Sequence, residues 1–178
     1  MCVPVIESDR TVENRLAELG LLLPEAPRPV GSYRAAVIAN DLLFISGQIP
    51  LLDGELKYPG RVGAELSEAA GGEAAQLAAL NVLAQIKAAL GSFDRLVSLA
   101  RVEGYVSSAP GWTSQPGVLD HASNLFTAVL GDRGIHARSA LAMPQLPLNA
   151  SVELVVTAHV RAAGEPVRKQ LLKSLRSQ

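Results

Sequence analysis

Cysteine is nearly absent from this chain: Cys2 stands alone, so no disulfide can close within it. A single thiol in a frayed terminus reads as a bystander rather than a nucleophile. No apolar run approaches the roughly 18 residues that a membrane-spanning helix needs. The N-terminus carries Glu7, Asp9 and Glu13 and lacks a basic stretch before an apolar one, so it does not read as a signal peptide. Cytoplasm is the default compartment and no membrane contact is expected. Cations are not in excess either. Sixteen Lys and Arg face 17 Asp and Glu for a net charge of -1, and apart from a small C-terminal cluster they are scattered. Phosphate backbones reward clustered cations, so nucleic acid is a poor default partner. His121, His136 and His159 lack metal-ligand spacing, which argues against a metal. There is no glycine-rich phosphate loop, dinucleotide fingerprint or nucleophile elbow. A Ser/His/Asp triad through Ser139 has no local support, and no cofactor is expected.

What is present is enough for one core: 178 residues, 48% hydrophobic and 19% charged, describe a globular chain. Thr11 is placed to cap a short helix with Val12, Leu16 and Leu19 on one face and Gly20 as its stop. Pro24, Pro27 and Pro29 then extend the chain. Two apolar runs, Tyr33–Ala39 and Leu42–Ile49, flank Asn40-Asp41 and predict a hairpin. Residues from Leu51 to Gly63 read as an excursion without regular structure. A long helix is expected with its firm part at Glu73–Leu90, loosened at Gly71-Gly72, followed by a strand over Leu96–Val106. A second helix is expected near Gly117–Leu130, then strands over Arg138–Met143 and Ser151–Arg161 around a Pro144–Pro147 loop. This order makes an α+β layer, one sheet with two helices on a single face. The other face then needs cover, which another subunit commonly supplies. Val167, Leu171, Leu172 and Leu175, interleaved with Arg168, Lys169, Lys173 and Arg176, form a basic amphipathic tail suited to docking. The chain divides into an N-terminal extension (1–28), a main domain (29–161) and this tail (162–178).

Few residues carry chemistry. Arg138 follows the Gly134-Ile135-His136 turn into an apolar strand, where its fork suits a carboxylate or a structural ion pair. Fifteen residues later, Glu153 alternates with Val152 and Leu154. It is either a solvated strand carboxylate or a partly buried one with a raised pKa, able to hold water and shuttle protons. Gly47, within Ser46-Gly47-Gln48, would let a ligand approach the backbone, or simply end a strand. Tyr33 is a pocket wall or a core aromatic. Trp112, the only tryptophan, sits on a Gly/Pro/Ser-rich loop as a candidate pocket lid or subunit contact.

Taken together, Gly31-Ser32-Tyr33, Phe44-Ile45-Ser46-Gly47-Gln48-Ile49-Pro50, His136-Ala137-Arg138-Ser139 and Leu146-Pro147 before Val152-Glu153 resemble the Rid family. That family of enamine/imine deaminases is also called YjgF or UK114, and was earlier labelled endoribonuclease L-PSP. The resemblance covers residues 29–161, in a form most like a longer subgroup. It implies a chorismate-mutase-like α+β fold with a mixed sheet, assembled as a homotrimer with clefts between subunits. It further implies that Arg138 binds a substrate carboxylate and that Glu153 positions water and moves protons. Tyr33, Ser46 and Gly47 would line the cleft. The implied reaction is hydrolysis of a 2-enamine or 2-imine acid, such as 2-aminoacrylate, to a 2-keto acid and ammonia, with no cofactor. Two departures stand out. Ala140 occupies a position where many members carry cysteine, which excludes a thiol mechanism, and Val155 replaces a residue that is often acidic. The competing readings are a non-catalytic trimeric binder of small carboxylates and, against the charge balance, an endoribonuclease.

Overall fold

The computed structural model describes residues 9–162. The first helix, α1 (Asp9–Glu18), begins two residues before Thr11 rather than being capped by it. It ends as Gly20 adopts φ 69° and the Leu21 N–H reaches back to the Leu16 carbonyl at 2.8 Å. Val12 and Leu16 are fully buried in the same hydrophobic cluster as the sheet. The chain then turns at Asn40-Asp41 between β1 (Ala36–Ala39) and β2 (Leu42–Gln48), with Asn40 in the left-handed region. The first strand therefore starts later than its apolar pattern suggests. Residues 31–33 bend instead, the Tyr33 N–H donating to the Gly31 carbonyl at 2.9 Å.

The stretch after Leu51 corrects the expectation of an irregular excursion. Leu51–Leu52 (β3) and Glu55–Leu56 (β4) pair as a hairpin around Asp53 and Gly54, both at positive φ. Asp-Gly is a strong hairpin signal, so this element was legible. The long helix α2 (Glu68–Leu90) also exceeds its expected span. Ser67 Oγ caps it by accepting the Ala70 N–H at 3.1 Å, and Gly91 in the left-handed region ends it. Gly71 and Gly72 lie inside α2 because α3 (Gln115–Leu130) crosses there. A Cβ on Gly71 would sit 3.1 Å from Val118 Cγ2, and one on Gly72 2.5 Å from His121 Nε2. Close helix packing overrides the low helix propensity of glycine.

Three further strands, β5 (Leu96–Ser107), β6 (Ala137–Met143) and β7 (Val152–Val160), complete a sheet of order β1-β2-β7-β5-β6. Every neighbouring pair is antiparallel except β5 with β6, so the sheet is mixed. The parallel pair needs a crossover, and α3 supplies it. Along β7, Val152, Leu154, Val156, Ala158 and Val160 are buried beneath the helices. They join Leu43, Ile45, Val102 and Val106 in the core. The intervening Glu153, Val155, Thr157 and His159 face the opposite side. Val37, Phe44 and Leu141 share that open side and remain 46%, 44% and 48% exposed. The architecture is thus the expected α+β layer, with both long helices on one sheet face. Among the described residues, no helix is long and apolar enough to cross a membrane. The basic tail expected over Val167–Arg176 lies outside the described residues.

Candidate functional site

Glu153 is the one carboxylate on β7, and the strand's alternation turns it away from the core. It sits across from Tyr105 of β5 on one side and the end of β2 on the other. There the β2–β7 register shifts between Ile45 and Gln48, and Gly47 comes against the carboxylate. A Cβ at Gly47 would lie 1.7 Å from Glu153 Oε1 and 2.7 Å from Cδ. Glycine is required here for space, not for φ. Glu153 is half-buried, and burial alone pushes its carboxyl above the ordinary range. No cation or donor among the described residues offsets that desolvation.

The pair lies in a cleft of about 210 Å³ whose lining includes Arg28, Tyr33, Ile49, Pro147 and Leu148. Leu148 and Asn149 take positive φ, which turns the Pro147 loop beside the end of β7. A cleft this small suits a ligand of few atoms, since drug-sized molecules need about 300 Å³ or more.

Arg138 is elsewhere. It pairs in register with Val102, whose side chain is buried under the helices, so Arg138 shares the helix face. Its Nη1 lies 2.9 Å from Asp120 Oδ1 and donates to Ser123 Oγ at 2.9 Å, while Nη2 donates to the Pro116 carbonyl at 3.3 Å. Within one chain, Arg138 and Glu153 therefore occupy opposite faces of the sheet and do not form one site. The reason is parity: Glu153 alternates onto the open face and Arg138 onto the face that meets α3.

Residues 13–160 match the model of the family described as "YjgF/chorismate mutase-like, putative endoribonuclease". The chain belongs to the YjgF family. Protein TCP17 of Trypanosoma cruzi is 38% identical over 151 residues, covering 84% of this chain and 94% of its own. The crystal structure of Atu1372 from Agrobacterium tumefaciens, a protein of unknown function, superposes with a TM-score of 0.82 at 40% identity. That match covers 86% of this chain and 94% of the other. Escherichia coli TdcF, solved with bound serine, shares the fold at a TM-score of 0.58 and 21% identity. Its match covers 78% of this chain and 94% of TdcF.

The remaining candidates divide within this YjgF fold. Tyr33 lines the cleft and is about half exposed. Ser46 does not line it. Its hydroxyl donates to the Arg34 carbonyl at 2.8 Å and its N–H to the Ala35 carbonyl at 2.9 Å, fastening the segment that presents Tyr33. Trp112 is not a lid on this cleft. Its ring lies against Gly63, where a Cβ would meet Cδ1 at 2.6 Å, and it packs on the core beside the start of α3. Ser139 accepts from Arg101 Nη2 at 3.1 Å and belongs to no triad. A serine–histidine contact does occur between Ser123 and His136, at 3.0 Å. Since the Gly134 carbonyl can only accept, His136 Nδ1 donates to it at 2.6 Å, and Nε2 is left to accept from the Ser123 hydroxyl. Burial lowers the His136 pKa and keeps the ring neutral, so the group fastens β6 to α3. Among the described residues, no cluster of His, Cys, Asp and Glu could hold a metal ion.

What sequence reasoning missed is the buried polar support beneath the cleft. Gln48 donates to the Ser46 and Gly47 carbonyls at 2.9 and 3.1 Å. Gln85 of α2 donates to Gln48 Oε1 at 3.4 Å and to the Pro27 carbonyl at 2.7 Å. Asn81, one turn earlier, donates to the Ile49 and Leu51 carbonyls at 3.0 and 2.9 Å. Asn81 and Gln85 stand four apart in a helix otherwise dominated by Ala and Leu, which was the available signal.

Proposed function

We propose that this protein hydrolyses reactive 2-enamine and 2-imine acids to 2-keto acids and ammonia, with Glu153 holding the water and moving the protons. One observation carries this reading: a half-buried, unpaired carboxyl of raised pKa faces a position where no side chain fits, inside a small cleft. A raised pKa brings the acid and base forms of Glu153 closer in population near neutrality, which is what a proton shuttle requires.

The enamine first tautomerises, its β-carbon gaining a proton while the nitrogen loses one, to give the imine. Water beside Glu153 then attacks the imine carbon. A C–O bond forms, the carboxylate takes the water proton, and the nitrogen gains one to give a carbinolamine. Loss of ammonia breaks the C–N bond and leaves the keto acid. Orientation and one proton relay suffice for so labile a substrate. The serine bound to TdcF, a fold neighbour, is a small amino acid with the same carboxylate handle. Arg138 can serve this cleft only from a second copy, because its own chain turns it toward α3.

The test is ammonia release from 2-aminoacrylate and from larger imino acids generated in situ by an amino-acid oxidase or dehydratase. Glu153→Gln should lower the rate by about 100-fold or more while leaving the affinity for an unreactive keto acid in place. Wild-type protein that binds keto acids yet accelerates none of the imines would replace this reading with the non-catalytic binder.

A further inference from the structure

We propose that Arg28 is the carboxylate-binding residue of this cleft. The inference rests on the cleft being a ligand site, as in the function proposed above, and assigns the group that recognises its anionic end. Arg28 lines the same cavity as Gly47 and Glu153 in the same chain. Arg138, by contrast, is held by Asp120, Ser123 and the Pro116 carbonyl on the far face of the sheet.

Three features make Arg28 more than a loose surface cation. Pro27 and Pro29 bracket it, so its flanking φ angles are fixed and little backbone entropy is lost on binding. The segment is anchored from below by buried side chains. Gln85 is 4% exposed and donates to the Pro27 carbonyl at 2.7 Å, as well as to Gln48, itself 6% exposed. Gln48 in turn holds the carbonyls of Ser46 and Gly47. One chain of amides thus sets the Arg28 segment against the position facing Glu153. Lastly, the Arg28 guanidinium has no hydrogen bond or ion pair among the described residues, so its donor fork is free for a ligand.

The rest of the lining adds selectivity. Between Arg28 and Glu153 the walls are apolar, with Val30, Ile49, Leu51, Pro147 and Leu148 among them. The site therefore suits a 2-imino acid whose side chain is aliphatic, its carboxylate on Arg28 and its imine carbon toward Glu153. A guanidinium fork grips a carboxylate with two parallel hydrogen bonds, which fixes orientation as well as charge.

The experiment is calorimetric titration of the full-length protein with 4-methyl-2-oxopentanoate, the unreactive keto acid of leucine, beside its neutral methyl ester. Arg28→Gln should weaken the acid by about 10- to 100-fold, Arg28→Lys less, and neither should change the response to the ester. Arg28 is exposed, so these variants keep the fold; circular dichroism and urea unfolding check that. Unchanged affinity in Arg28→Gln overturns the assignment. So does loss in Arg138→Gln alone, which would give the carboxylate to Arg138 of a neighbouring copy. Absence of binding by the wild type overturns it as well. Turnover, measured separately, distinguishes the two readings. Binding lost in Arg28→Gln without any wild-type turnover keeps the anchor and removes the deaminase, whereas turnover indifferent to Arg28 does the reverse.

Discussion

Replacing Gly47 by alanine isolates the contact on which the functional reading stands. Gly47 does not adopt positive φ, so alanine takes the same backbone conformation without strain. The whole perturbation is the position of one methyl group. It would lie 1.7 Å from Glu153 Oε1, whereas carbon–oxygen contacts settle near about 3.3 Å, so the carboxylate must retreat by at least about 1.5 Å. Glu153 Cγ, at 3.1 Å, has to give far less, so the side chain swings at its outer torsions toward solvent. Two results follow. Removing the burial returns the Glu153 pKa toward the ordinary range, since burial is what raises it. Displacing a reacting group by an ångström or more costs about 100-fold in rate. Folding stability should move by no more than about 1 kcal/mol. Replacing glycine in a strand regains about 0.5–1 kcal/mol, against a similar cost for an off-rotamer glutamate. The assay pairs a ¹³C-carboxyl NMR titration of Glu153 with turnover on the same preparation. A Gly47→Ala protein that keeps both the raised pKa and full turnover would refute the reasoning. A loss of several kcal/mol in urea would mean that the strand, not the carboxylate, gave way.

The neutral His136 ring predicts an acid-side loss of stability. Burial depresses its pKa in the folded state below the ordinary value of 6.5, so the unfolded chain takes up the proton first. The stabilisation is complete above that value and is lost as pH falls below it toward the folded-state pKa. Urea unfolding from pH 8 to 5 should show this slope in the wild type and not in His136→Gln; equal slopes in both would contradict it. The open sheet face predicts assembly. We infer that Val37, Phe44 and Leu141 are covered by further copies in a homotrimer. Sedimentation should give three times the 18.7 kDa chain mass, and Phe44→Asp should shift it downward. A monomeric wild type at micromolar concentration would end that inference.

Local pattern determined more of this protein than its low complement of special residues suggests. Alternation along residues 152–160 assigned Glu153 to the non-core face, because side-chain direction in a strand is fixed by parity alone. Asn40-Asp41, Gly91 and the apolar spacing of α3 located a turn, a helix end and a helix from short-range chemistry. Asp53-Gly54 was equally legible and was obscured by the surrounding glycines. The motif spacing pointed to the family, and the fold agrees with it. What the sequence left open was everything set by contact between distant segments. Gly71 and Gly72 look like helix breakers until α3 is seen to need their missing side chains. Arg138 and Glu153 look like partners, yet each strand's face depends on where it enters the sheet, and the crossover through α3 places the two on opposite sides. Arg28 sits in a proline-rich linker with no pattern of its own. Only Gln85, 57 residues further along and bonded to the Pro27 carbonyl, draws it to the cleft that Glu153 and Gly47 define.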